Sequence, residues 1–179
     1  QDVGCEWLGV ATVPEGIRLR KAGINMEILK FSPAFPEAML GAVKHNITLT
    51  VCDTEGIRQL QEVCAKNSLH AKVHLKIDTG MGRIGVMPKE APGMAAFIER
   101  ENPNLKLEGV FTHLPVSDRD PDYTQGQVSK FNRVITEIEK TLARKIEMVH
   151  CANSGAVLGE EYAWMDMVRP GIMVYGFYP

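Results

Sequence analysis

Apolar residues recur along this chain in two alternating rhythms. Short runs that alternate, or are nearly unbroken, are separated by longer stretches with a period near 3.6. Residues 7–11 form the first short run and predict a buried strand. Thr12, with Glu15 three positions on, is the reciprocal pair that opens a helix. Ile17, Leu19 and Ala22 give that helix an apolar stripe, and Gly23 ends it. A second strand follows over 24–29, a turn over 32–36 and a short helix over 36–43. The third strand, 47–51, is β-branched and alternating, and Asp53-Thr54 caps a helix over 55–65. Val73, Leu75 and Ile77 alternate as a fourth strand. Then come a helix over 91–100, a strand over 105–112 and a polar loop over 117–123. Ile135, Ile138 and Leu142 mark an amphipathic helix over 124–142. A sixth strand is expected over 146–149, and a seventh from Met167 past Pro170 to Val174.

Strands of near-continuous apolar character joined by helices predict a parallel sheet with right-handed crossovers. Seven such strands fit an α/β, TIM-type (β/α) barrel that is one unit short. An open doubly wound sheet is the rival, but no G-x-G-x-x-G follows the first strand. There is no internal repeat and no linker, so residues 1–179 are expected to form a single domain.

Composition narrows the class. The 179 residues are 45% hydrophobic and 23% charged, a globular balance, with a net charge of −2. That charge gives no electrostatic case for nucleic acid or an anionic membrane. No apolar run approaches the roughly 20 residues that span a bilayer. The four cysteines contain no C-x-x-C pair. Cys52 and Cys151 lie in strand-like runs, as small buried residues do, which suits a reducing cytoplasm. His150 and Cys151 are adjacent in a strand, face opposite sides and should not pair. His45, His70 and His74 lack metal-ligand spacing, so no metal is expected. The start, Gln1-Asp2-Val3-Gly4, has neither the basic nor the apolar region of a signal peptide. Without an initiator methionine it points to a fragment.

Candidate chemistry gathers where strands end. Residues 74–86 read HLKIDTGMGRIGV, a strand that breaks into Asp78, Gly80 and Gly82 and then reaches Arg83. Such a break suits the C-terminal mouth of a barrel strand, where catalytic groups sit. Parity with Leu75 turns Lys76 into the barrel, where Arg83 nearby would make a like-charge pair that needs compensation. Asn153-Ser154-Gly155 follows the sixth strand, and a serine hydroxyl with backbone N–H groups there makes an anion site. Gly171-Ile172 would add two donors.

Three stretches, KIDTGMGRIG at 76–85, HCANSGAV at 150–157 and MVRPGIMVYG at 167–176, resemble the alanine racemases, barrel-fold pyridoxal-phosphate enzymes. The resemblance starts at WLGVAT, residues 7–12, and runs nearly the whole chain. It implies strands two to eight of the barrel. The first strand, with the lysine that holds the cofactor, and a C-terminal β domain, with the tyrosine base, would lie outside this sequence. By the resemblance, Arg169 faces the pyridine nitrogen of pyridoxal phosphate, and His113 bonds that arginine. Ser154, Gly171 and Ile172, with Asn153 beside them, take the phosphate. Arg83 lies near the phenolic oxygen and the substrate carboxylate, and Lys76 is carbamylated. A guanidinium only donates, so a pyridine nitrogen beside it stays unprotonated. That weakens the cofactor as an electron sink and favours proton exchange over transamination or decarboxylation. The loop after His113, LPVSDRDPDYTQ, departs from the family wording. The implied activity is conversion of L-alanine to D-alanine for cell-wall precursors, in the cytoplasm, by a homodimer when full length. Neither proton-transferring base falls inside 1–179, so the fragment is expected to be inactive. Three alternatives stand beside it: a racemase for serine or another small amino acid, a non-catalytic pyridoxal-phosphate-binding barrel protein, and a phosphate-binding barrel without cofactor.

Overall fold

The computed structural model describes residues 4–179; the start read above for a leader, 1–3, lies outside them. Strands and helices alternate throughout. The chain divides into two compact units, residues 1–75 with 97–107, and 76–96 with 108–179.

The first unit holds β1 (Trp7–Val10), α1 (Val13–Lys21), β2 (Glu27–Pro33), α2 (Pro36–Lys44), β3 (Thr48–Val51) and α3 (Thr54–Asn67). It also takes most of β4 (Ala71–Lys76), the end of α4 (Ala91–Glu101) and the start of β5 (Leu105–Phe111). Its strands pair in parallel in chain order: Trp7 lies beside Glu27, Leu29 beside Thr48 and Leu49 beside Val73. The opening of α1 is the expected reciprocal cap. The Glu15 N–H donates to Thr12 Oγ1, and Glu15 Oε2 accepts the Ala11 and Thr12 N–H groups at 2.9 and 3.1 Å. Asp53 caps α3 by accepting the Gly56 N–H at 2.7 Å. Ile57, Leu60 and Cys64, spaced along one face of α3, are fully buried; each such aliphatic side chain contributes about 1.5–3 kcal/mol on leaving water.

The second strand differs from the expectation. It starts at Glu27, not 24, because the Arg20 guanidinium draws in the carbonyls of Ile24 and Met26 and bends that segment. It also runs on through Ser32 and Pro33, read above as a turn. Lys30 Nζ donates to Ser32 O, Ser32 Oγ and Pro33 O, and the register slips between Lys30 and Pro33. A proline with no N–H is tolerated at such a slip.

The second unit holds the ends of β4 and β5, the start of α4, α5 (Pro121–Leu142), β6 (Met148–His150) and α6 (Ser154–Gly159). Gly109 lies beside Met148 and Phe111 beside His150, both in parallel, and the Ile77 N–H donates to Phe111 O at 2.8 Å. Phe131, Ile138, Leu114 and Ile77 fill its core. Helix α5 starts at Pro121, earlier than expected. Asp120 caps it by accepting the Tyr123 N–H, and proline suits the first helical position. The expected seventh strand does not form among the described residues, which hold six. The Asp166 and Arg169 N–H groups reach Val149 O and Ala152 O, but the ladder stops there. Pro170 has no N–H to give, the Gly171 N–H turns to Ser154 Oγ, and Ile172–Tyr175 winds into a 3₁₀ turn. Among the described residues no helix is long and apolar enough to cross a membrane.

Candidate functional site

Within the second unit, the ends of β4, β5 and β6 bring Lys76, Phe111, Thr112, His113 and His150 to one place. The Arg169 guanidinium is inserted among them. Its Nη1 lies 2.6 Å from His150 Nδ1, and its Nη2 donates to Thr112 O at 2.9 Å and Cys151 O at 3.1 Å. Guanidinium cannot accept, so His150 Nδ1 carries no proton and the ring is neutral with its hydrogen on Nε2. The same ring stacks on Phe111, 4.7 Å centroid to centroid and 7° from parallel. Lys76 Nζ and Arg169 Cζ stand 4.9 and 5.5 Å from the Phe111 centroid, within cation–π range. Burial pushes Arg169 down to about 10, which leaves it charged at neutral pH.

Lys76 is buried with its Nζ over the Phe111 ring, and Leu75 beside it is buried too, so burial does not distinguish the two faces of the strand. His113 is half-buried. Burial first, then the charges of Arg169, Lys76 and Arg83, push it down to about 4. Both effects disfavour the protonated ring, so His113 is neutral at physiological pH. The hydrogen bond to Arg169 that the resemblance gave to His113 belongs instead to His150. Thr112 and Phe111 carried no signal in the sequence, and His150 was weighed there only as a partner for Cys151. One signal was there for His150: it stands at the end of its strand, as His113 stands just past the end of the one before. Cys151 lies to the other side, its thiol donating to Ala163 O at 3.2 Å. Burial pushes it up to about 11, partly offset by Arg169 and Lys76, which leaves it unreactive.

Ser154, buried, opens α6 behind the Asn153 cap. The Asn153 side chain is committed to its surroundings. Its Oδ1 accepts from Ser117 Oγ at 2.6 Å and from the Ala156 N–H at 3.2 Å, and its Nδ2 donates to Leu114 O at 2.7 Å. Ser154 Oγ accepts the Gly171 N–H at 2.9 Å and, more weakly, the Met173 N–H at 3.5 Å. With its lone pairs so used, the hydroxyl has its proton left to give. The Gly171 amide is therefore turned onto Ser154 instead of outward. No bond occupies the Ile172 N–H among the described residues.

Arg83 is exposed and makes no hydrogen bond or ion pair among the described residues. Four groups of this unit keep donors to offer: the remaining N–H groups of Arg169, the exposed Arg83 fork, the Ser154 hydroxyl and the Ile172 amide. That set suits a molecule whose polar atoms all accept, namely a phosphate, a phenolate, a carboxylate and a ring nitrogen. Pyridoxal phosphate bearing an amino acid is such a molecule, so the residues present fit the group that the resemblance implied.

Comparison with known proteins gives the family. The family model for the alanine racemase N-terminal domain matches residues 1–179. The alanine racemase of Cutibacterium acnes is 40% identical over 176 residues, 97% of this chain and 46% of that protein. That of Treponema denticola is 43% identical over 180 residues, 98% of this chain and 47% of its own. Among solved structures, alanine racemase from Clostridium difficile 630 in complex with cycloserine superposes with a TM-score of 0.93 at 33% identity. The match covers 99% of this chain and 49% of that one. The Bacillus anthracis enzyme with bound L-Ala-P gives 0.89 at 33% identity, over 99% and 46%. The chain thus spans about half the length of the relatives it matches. On sequence and on three-dimensional structure alike, it belongs to the alanine racemase N-terminal domain family.

Proposed function

We propose that residues 1–179 are the cofactor-holding barrel portion of a pyridoxal-phosphate-dependent alanine racemase. The barrel strands present would be the family's second and later ones. The observation that carries this is Arg169, held by His150, Thr112 O and Cys151 O so that its remaining N–H groups must donate to whatever stands before it. Bound pyridoxal phosphate would supply an electron sink for the α-carbon of an amino acid attached to it. Arg169 would donate to the ring nitrogen, and because a guanidinium only donates, that nitrogen would stay unprotonated and the sink weak, which suits simple proton exchange.

The other residues bind and orient. Ser154 would donate a hydrogen bond from its hydroxyl, and Ile172 one from its amide, to the phosphate. Gly171 acts one step behind by fixing the Ser154 hydroxyl, and Asn153 holds the start of α6. His113, neutral, stands beside the cofactor without adding a further charge. Arg83 takes the substrate carboxylate with its fork. Carbamylation of Lys76 would turn one of three neighbouring cations into an anion and relieve their repulsion. No proton-transferring base is assigned within 1–179. The substrate is alanine, the complete enzyme a homodimer in the cytoplasm, and the product D-alanine for cell-wall precursors.

The test is an assay of residues 1–179, and of the complete product of their gene, with L-alanine and pyridoxal phosphate. D-alanine formation and an imine absorbance band in the complete product alone, with weaker, non-covalent cofactor binding by residues 1–179, are expected. Failure of the complete product to form D-alanine, or an imine band of equal strength in residues 1–179, would overturn the proposal.

A further inference from the structure

The Arg83 loop is held by something that the racemase reading does not use. Inside the loop, the Asp78 carboxylate accepts the N–H groups of Gly80, Met81 and Gly82, each at 2.8 Å. The loop closes where the Asp78 N–H meets Val86 O and the Val86 N–H meets Lys76 O, both at 2.9 Å. With the amides taken from within, the carbonyls are taken from outside by one edge of α5. Tyr123 Oη donates to Gly80 O at 2.8 Å, and Lys130 Nζ to Thr79 O at 3.0 Å. Between them Gln127 Nε2 reaches Thr79 Oγ1 at 3.3 Å, and that hydroxyl is 2.8 Å from Thr112 Oγ1. Tyr123, Gln127 and Lys130 are spaced by four and three residues, so they line one face of the helix. Gly80, at φ +149°, fits closely: a Cβ there would lie 2.5 Å from Tyr123 Oη.

We propose that Tyr123 and Lys130 are positioning residues that clamp the Asp78–Gly82 turn to α5 and so set where Arg83 presents its guanidinium. Among the described residues the Arg83 side chain has no bond of its own, so its reach is decided by its backbone. A group that must meet a carboxylate in two bonds loses affinity when its base wanders. The proposal rests on the racemase reading only for what Arg83 grips.

The experiment uses the 179-residue chain and the pair Tyr123→Phe and Lys130→Met, separately and together. Both side chains are exposed, so the variants should fold. Without ligand, amide exchange at Gly80, Met81 and Gly82 and the 15N order parameter at Arg83 are read, with α6 as internal control. Each lost bond should speed exchange about tenfold or less, the double variant about tenfold or more, and lower the Arg83 order parameter. Gly80→Ala, which pushes Tyr123 away, should do the same. With the reduced adduct of pyridoxal phosphate and alanine as probe, which carries the carboxylate, the double variant should bind about three- to tenfold more weakly, and this effect should vanish in an Arg83→Ala background. A merely structural role would persist in that background. Unchanged exchange, or an effect that simply adds to that of Arg83→Ala, would overturn the proposal. If the unaltered chain does not bind that adduct, the racemase reading fails, and exchange and order at Arg83 alone decide the clamp.

Discussion

Arg169 and Arg83 carry the same head group and are held in opposite ways. Arg169 is fixed by its side chain: three acceptors and an aromatic face surround the guanidinium, on a segment with little regular structure of its own. Arg83 is fixed by its backbone: its loop is bonded inside and out, while its guanidinium is bare. A locked guanidinium suits a partner that stays, such as a cofactor ring. A bare one on a rigid base suits a partner that comes and goes, such as a substrate carboxylate. The difference also separates stability from binding, because only Arg169 satisfies buried carbonyls.

Breaking the comparison at Arg169 should give the largest effect. Arg169→Ala strands Thr112 O, Cys151 O and His150 Nδ1. It should lower stability by about 3 kcal/mol in chemical denaturation and abolish measurable pyridoxal-phosphate uptake. Arg83→Ala should do the reverse. Its denaturation midpoint should stay within about 0.5 kcal/mol of the unaltered chain. Affinity for the amino-acid carboxylate, measured in the complete enzyme, should fall about 10- to 100-fold with the loss of charged hydrogen bonds.

His113 sharpens the comparison through pH. Its pKa is depressed from 6.5 to about 4 in the folded chain, so between those values the unfolded chain binds more protons. The stability contribution is complete above about 6.5 and is lost as pH falls towards 4, with a slope of at most about 1.4 kcal/mol per pH unit. His113→Asn should flatten that slope in denaturation curves taken across the window. In Arg169→Ala, NMR titration should show the His113 pKa moving back up, since one of its depressing charges is gone. The smallest effect belongs to the other unit. Thr12→Ala removes half of the α1 cap and should lower stability by about 1 kcal/mol, with cofactor uptake unchanged.

What was legible in the sequence was local. The Thr12–Glu15 pair and the Asp53 cap join groups three residues apart, and both formed as read. The strand–helix alternation held because each run buries its own stripe. What was not legible was settled by distant partners. The Arg20 guanidinium holds the carbonyls of Ile24 and Met26 together with those of His45 and Asn46, which lie more than 20 residues away. His150 meets Arg169 across 19 residues, and Tyr123 and Lys130 meet the Gly80 and Thr79 carbonyls across 43 and 51. Nothing in the periodicity of α5 distinguishes those positions. The expected strand over 167–174 had the right residues for pairing, but Pro170 and the pull of Ser154 on Gly171 broke the ladder.

The central claim is that Arg169 donates to an unprotonated pyridine nitrogen. The direct measurement is the 15N chemical shift of ring-labelled pyridoxal phosphate bound to this chain, followed from pH 6 to pH 9. The shift should stay at the value of an unprotonated, hydrogen-bonded pyridine throughout and should change in Arg169→Lys. A shift at the pyridinium value at any pH in that range would contradict the account.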